Sequence, residues 1–408
     1  MMTGGARQEQ QYGRVLLGGL CTMVIAMGIG RFAYTPILPA MQAAAGLGPE
    51  RAGLLASANY LGYLIGALAG GYLFTGHRRR HAFRATLLVG LAVIGLMALT
   101  DSFAAWSALR LISGLSSGAL FVWSADIVIR ALAQAGRGRL SGVHFAGVGF
   151  GIALTGIAVP LLDGLGGWRV GWAGLALLAL PIAVPAWLWV AGRPPAPAVA
   201  APVGERATNE APTRPVACFP LPLLALAYFL EGFGCIVSGT FLVAMLAAGP
   251  GGGGLLGPLA WTVVGLAGAP SCLLWSLAAS RWGYPGTLVA AHLLQAAGIA
   301  LSAGFTATAP VLVAAMLFGG TFMGITTLVV AFGREIAGAA PARAIGLLTA
   351  SFGLGQIIGP SVAGWLAARS GGSFVLALEV AAAAVLAGAI LLLIGQARAR
   401  RRAEAVAA

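Results

Sequence analysis

Glu231 interrupts a long apolar run, with Leu-Leu-Ala-Leu-Ala-Tyr-Phe-Leu before it and Gly-Phe-Gly-Cys-Ile-Val after it. If residues 220–247 form a membrane helix, the carboxyl lies about eleven residues in, ~16 Å deep and close to the bilayer midplane. An ionisable group at that depth costs about 2.5–3.5 kcal/mol on insertion scales, so it is a candidate functional group. Loss of hydration favours the neutral carboxyl, which lets it bind and release a proton as its surroundings alternate. The competing readings are a carboxylate paired permanently with an arginine, or one held by local hydrogen bonds.

Two arginines pose the same problem. Arg31 lies ~12 Å from the outer end of an apolar run over 15–39, and Arg110 lies seven residues inside a run over 103–130. A guanidinium stays charged at any physiological pH, so Arg31 can fix an anionic group of a ligand or meet Glu231 across a cavity. Tethering to helix ends or lipid is its structural alternative, and packing beside Gly114 is that of Arg110. Asn59, Tyr60, Thr321, Thr326 and Gln356 are polar candidates for lining such a cavity. Asp126, four residues before Arg130, fits an intrahelical pair or a clasp to the Arg78–Arg80 cluster that contains Arg79. His144 reads as a satisfied packing histidine, with pH sensing as the alternative, and His292 and Glu379 read as structural.

The elements that position these groups follow from composition. With 59% hydrophobic and 9% charged residues, a chain of 408 residues has too little polar surface for a water-soluble globule. Twelve runs long enough to cross ~30 Å of hydrocarbon emerge, near 15–39, 52–74, 83–100, 103–130, 141–162 and 169–191, then 220–247, 258–279, 285–304, 310–333, 344–367 and 373–394. The fold class is therefore all-α integral membrane. Sixty-two glycines allow close helix approach in lipid.

All 24 basic residues are arginine, which raises the question of nucleic acid, but their placement answers for a membrane. Nineteen fall on one face and only Arg51, Arg169 and Arg369 on the other. Basic loops are retained in the cytoplasm, so both termini are expected there, with helix 1 itself directing insertion in place of a cleaved signal.

Residues 193–218 hold six prolines and read as a flexible cytoplasmic linker between a bundle over 1–192 and one over 219–408. The two halves match at an offset of 204: Gly28 with Gly232, Gly30 with Gly234, Met41 with Met245, Arg130 with Arg334, and Gly149-Phe150-Gly151 with Gly353-Leu354-Gly355. Duplicated membrane halves place a substrate site at their interface near the midplane.

This arrangement resembles the major facilitator superfamily over the whole chain. GIGRFAYTPILPAMQ in helix 1, GVHFAGVGFGIAL in helix 5, YFLEGFGCIVSGTFL in helix 7 and FGLGQIIGPSVAG in helix 11 resemble its YbfB/YjiJ-like branch. The resemblance implies two pseudo-symmetric six-helix bundles, transport by alternating access, and for Arg110 a link to ligand or proton coupling. After helix 2 the family's acidic position is Thr75, which weakens the expected gating latch. The antiporter motif is better kept in helix 11, as Gly355, Gly359, Pro360 and Gly364, than in helix 5, where Ile152 and Thr155 depart, so it gives modest support to export.

Other chemistries drop out. A chain without lysine has neither a P-loop lysine nor a Schiff base, and the glycine-rich stretch 249–258 reads as a short outer loop. Cys21, Cys218, Cys235 and Cys272 have neither metal-ligand spacing nor a disulfide framework, so no cofactor is expected. No acid, base and nucleophile gather as an enzyme requires. The expectation is a monomeric proton-coupled transporter of a small organic molecule in a bacterial inner membrane. An uncoupled facilitator, or an uptake carrier for an organic anion, is the alternative.

Overall fold

The computed structural model describes residues 4–72, 76–191, 218–249, 254–338 and 340–407. Regular structure among them is helical, with no strand. Among the described residues, eleven helices are long and apolar enough to cross a membrane. We label them α1 (Gln11–Ala45), α2 (Pro49–Gly71), α3 (Arg78–Leu99), α4 (Phe103–Gln134), a fifth over Ser141–Val190, then α7 (Leu221–Ala248), α8 (Leu256–Trp282), α9 (Tyr284–Gly304), α10 (Thr308–Ala337), α11 (Pro341–Arg369) and α12 (Val375–Ala405).

The fifth helix is 50 residues long, about twice what a bilayer needs. Its backbone breaks at Gly166 and Gly167, where Gly167 takes φ 71° and ψ −169°, a conformation open essentially to glycine alone. Counted as two parts, α5 over 141–165 and α6 over 168–190, it is consistent with the expected twelve crossings. Sequence patterning places a loop between 162 and 169, but helical winding runs up to the glycine pair and resumes directly after it. At the chain ends the helices also outrun the apolar signal. The first begins at Gly4 and the last continues to Ala407, because alanine and arginine are strong helix formers in water as well as in lipid. The proposed linker lies outside the described residues except for Cys218, as do Thr75 and residues 250–253.

The repeat offset has a physical counterpart. A Cβ on Gly28 would collide with the backbone of Gly151, and one on Gly355 would meet the backbone of Gly232 at 3.1 Å. Both are glycine-on-glycine contacts, one joining α1 to α5 and the other α7 to α11, and both residues of the second pair stand 204 positions after those of the first. Thr35 Oγ1 donates to the Gly239 carbonyl at 2.5 Å, again 204 residues away, so these equivalent positions meet on the pseudo-two-fold axis.

Three helix pairs form the seam between the six-helix bundles. Helices α5 and α8 pack closely enough that a Cβ on Gly149 would stand 2.5 Å from both Gly265 O and Ala269 N. Their symmetry mates α11 and α2 meet where Pro360 O lies against Gly53 and Pro49 O against Gly364. Helices α1 and α7 meet at Thr35. Such close backbone approach supplies the dispersion contacts that association in lipid depends on.

Candidate functional site

The site begins with a fault in α1. Residues Val24–Ile29 are wound as a π-helix, with Gly30 N–H bonded to Ile25 O at 2.8 Å and Phe32 N–H to Met27 O at 3.0 Å. Pro36 then removes the N–H that would serve Phe32 O, and Thr35 N–H takes that carbonyl at 3.2 Å. The carbonyls of Gly30 and Arg31 are left to side chains. Arg110 of α4 donates to both, Nη1 to Gly30 O and Nη2 to Arg31 O, each at 3.3 Å, and Ser113 Oγ adds a bond to Gly30 O at 2.7 Å. Arg110 is 1% exposed and its guanidinium lies 4.7 Å from the Tyr34 ring centre. It supports the broken turn and does not reach the cavity lining.

The break aims Arg31 into the space between the bundles. Its guanidinium lies 4.2 Å from the Tyr63 ring centre and 4.7 Å from that of Tyr60, and Nη2 donates to Gln356 Oε1 of α11 at 2.7 Å. That bond crosses from one bundle to the other. Around it lies a central cavity. Polar groups reaching this cavity are few: Arg31, Tyr63, Cys235, Thr326 and Gln356. Seven of the seventeen lining residues are aromatic, including Phe121 of α4, Trp261 of α8, Phe318 and Phe322 of α10, and Phe352 of α11.

On the side of the membrane where α1 ends and α2 begins, hydrogen bonds tie the bundles together. Ser57 Oγ donates to Ile357 O at 2.6 Å and lies 2.8 Å from Ser361 Oγ, while the Tyr60 hydroxyl lies 3.2 Å from Thr240 Oγ1. With Thr35–Gly239 these close the cavity toward the arginine-poor face.

Glu231 corrects an expectation. It does not meet Arg31 and does not line the cavity; among the described residues Arg31 has no carboxylate partner. Its position on α7 turns it toward α9, where Gln295 Nε2 donates to Oε1 at 3.3 Å, while Oε2 has no hydrogen-bond partner. Facing explains this. Cys235, one turn along, lines the cavity, and its thiol is directed to Gly232 O at 3.8 Å. His292, a turn before Gln295, is fully buried with Nδ1 2.8 Å from Leu288 O.

Two further expected lining residues are absent from the wall. Asn59 is fully buried with Nδ2 donating to Arg110 O at 2.9 Å, and Thr321 donates back to its own helix at Leu317 O, 2.7 Å away. A threonine in hydrocarbon finds its nearest acceptor one turn back, and Thr321 lies off the cavity wall. Tyr60 shares in the site only through Arg31 and Thr240. His144 is buried with neither ring nitrogen bonded, so it is not the satisfied packing histidine that sequence suggests.

At the arginine-rich face Asp126 accepts from Arg79 Nη1 and from Arg130 Nε, both at 2.7 Å, and Arg79 Nη2 bonds Trp123 O at 2.9 Å. These groups are a fifth to a quarter exposed, so solvent screens them. Asp126→Asn is expected to lower stability by on the order of 1 kcal/mol in detergent melts; a loss several times larger would show the cluster to be buried in the working protein. In α11, Gly355 and Gly359 receive α7 at Phe229 and Phe233, while Pro360 receives α2.

Comparisons with known proteins agree with this geometry. The family model described as "Uncharacterised MFS-type transporter YbfB" matches residues 23–393. A point mutant of the nucleoside transporter NupG superposes with a TM-score of 0.69 at 14% identity over 94% of this chain and 99% of that one. A second NupG structure gives 0.64 at 14% identity over 93% and 98%. At that identity the likeness speaks for the fold. No curated protein is matched by the chain. With its family model spanning all but the ends of the chain, and a cavity between two duplicated bundles, the protein is a multi-pass membrane transporter of the major facilitator superfamily, belonging to the YbfB family.

Proposed function

We propose that the protein is a proton-coupled exporter of a small organic molecule, working as a monomer in a bacterial inner membrane with both termini cytoplasmic. The bundles over 1–192 and 219–408 rock about the cavity to expose it to each compartment in turn. The observation that carries this reading is the Arg31–Gln356 bond, a buried cation of one bundle held by a neutral group of the other at the wall of a central cavity. The seam is suited to cycling. Each of its hydrogen bonds is worth about 0.5–1.5 kcal/mol net, so the few that close one face can be exchanged for others without trapping the chain in one state.

Glu231 is the proton carrier in this scheme. It is buried, lacks an arginine partner among the described residues, and has one oxygen without a bond. Cys235, one turn along the same helix, lines the cavity and is the route proposed between the carboxyl and that space. The motif kept in helix 11 as Gly355, Gly359, Pro360 and Gly364 gives export modest support only, since it marks exporters from helix 5, where Ile152 and Thr155 depart from it. Because a similarly folded neighbour is a nucleoside transporter, nucleosides belong in the substrate panel with organic acids, amino acids and amphipathic drugs.

The test uses purified protein in liposomes with an imposed pH gradient. Glu231→Gln is expected to lose gradient-driven flux at least about tenfold while keeping solute exchange at equal pH, since removing the titrating group removes the driving force and not the pathway. Unchanged gradient-driven flux in this variant would remove Glu231 from the coupling, and wild-type flux indifferent to the pH gradient would favour an uncoupled facilitator instead.

A further inference from the structure

We propose that the ligand of the central cavity is a planar aromatic monoanion of the aryl carboxylate class, with its carboxylate on the Arg31 guanidinium and its ring among Phe32, Trp261 and Phe322. The inference rests on reading this cavity as the transport site.

Charge is the first ground. Arg31 is the one charged side chain among the described residues that line the cavity. It is 3% exposed, and Nε has no hydrogen-bond partner. A guanidinium shielded from water and left with a neutral amide partner is costly to bury, and an anion arriving with the ligand removes that cost. One cation calls for one negative charge. Arg110 cannot balance a second, because its Nη groups are turned to the carbonyls of Gly30 and Arg31.

Geometry is the second. Tyr63 and Tyr60 cover the guanidinium at 4.2 and 4.7 Å, so an anion has only the N–H edge to approach. Edge-on, two parallel N–H donors match the two oxygens of a carboxylate. The wall supplies the third ground. Phe32 meets Trp261 at 6.2 Å and 60°, and Phe322 at 6.3 Å and 80°, so ring faces stand at steep angles around the space beside Arg31. Flat guests gain from such faces both by stacking and by edge contact, which a saturated ring of the same size does less well.

Binding is measured on the full chain in nanodiscs by calorimetry, with 2-naphthoate, its neutral isostere 2-naphthamide, the dianion 2,6-naphthalenedicarboxylate and the saturated acid decahydro-2-naphthoate. We expect 2-naphthoate to bind at least about tenfold more tightly than each of the other three, the margin of a charge-assisted hydrogen-bonded pair. Arg31→Gln is expected to bring the acid down to the level of the amide while leaving amide affinity unchanged. Equal affinity of acid and amide, equal affinity of the saturated acid, or no binding of 2-naphthoate would overturn the proposal. Should Arg31→Gln fail to fold in a thermal melt, the comparison in the wild-type protein decides alone. Transport is scored separately in liposomes. Tight binding of 2-naphthoate without flux of any solute would sink the transporter reading and keep the ligand class, whereas flux of other solutes without aryl acid binding would do the reverse.

Discussion

Arg110→Met is expected to abolish transport and to destabilise the protein by about 2–6 kcal/mol, the cost of leaving two buried carbonyls unsatisfied at about 1–3 kcal/mol each. The reason lies in the backbone of α1. Because Pro36 offers no N–H, the bonding pattern slips and Gly30 O and Arg31 O lose their helical donors. Arg110 replaces those donors. Methionine fills similar volume but donates nothing, so the turn must rewind or stay strained, and Arg31 moves in either case. Unfolding in denaturant and flux in liposomes measure the two effects. Wild-type stability together with wild-type flux in this variant would refute the supporting role assigned to Arg110.

A second large effect is expected at the bundle seam. Gly149→Val places branched carbon where Gly265 O and Ala269 N already stand 2.5 Å from an ideal Cβ. Neither neighbour is a side chain that can swing away, so α5 and α8 must separate. Overpacking of this kind costs about 3 kcal/mol or more, roughly 100-fold in any state that needs the seam closed. Flux is therefore expected to fall by about that factor. Gly164→Ala is the control, since a Cβ there has nothing within 4 Å, and it should transport as the wild type does. Equal activity in Gly149→Val would mean that the seam is not closed during the cycle.

Sequence alone makes the helices legible because hydropathy records solvent, and a run of apolar residues in lipid has few alternatives. Arg31 was legible for the same reason, as a charge in a place that penalises charge. Which way a residue faces was not. Glu231 and Cys235 are one turn apart on one apolar helix, and nothing in their neighbours tells which looks at the cavity and which at α9. The aromatic wall was missed outright: Phe121, Phe318 and Phe352 look like any lipid-facing phenylalanine until a partner bundle is placed opposite them. Thr321 and Asn59 misled in the other direction, because polar side chains in a membrane satisfy themselves within the protein before any ligand arrives. The repeat, by contrast, pointed true at its glycines, since close backbone contact tolerates few other residues.

The extra residue in the π-wound turn of α1 acts as an angular offset. Each residue advances an α-helix by about 100°, so rewinding Val24–Ile29 to about 3.6 residues per turn at unchanged length would swing everything after it round the helix axis by about that angle. Arg31 would then face a neighbouring helix and no longer the cavity, with every side chain of the site still present. The address of the charge is thus written in the winding of a backbone segment rather than in the chemistry of its neighbours, and whatever straightens that winding would retarget the protein.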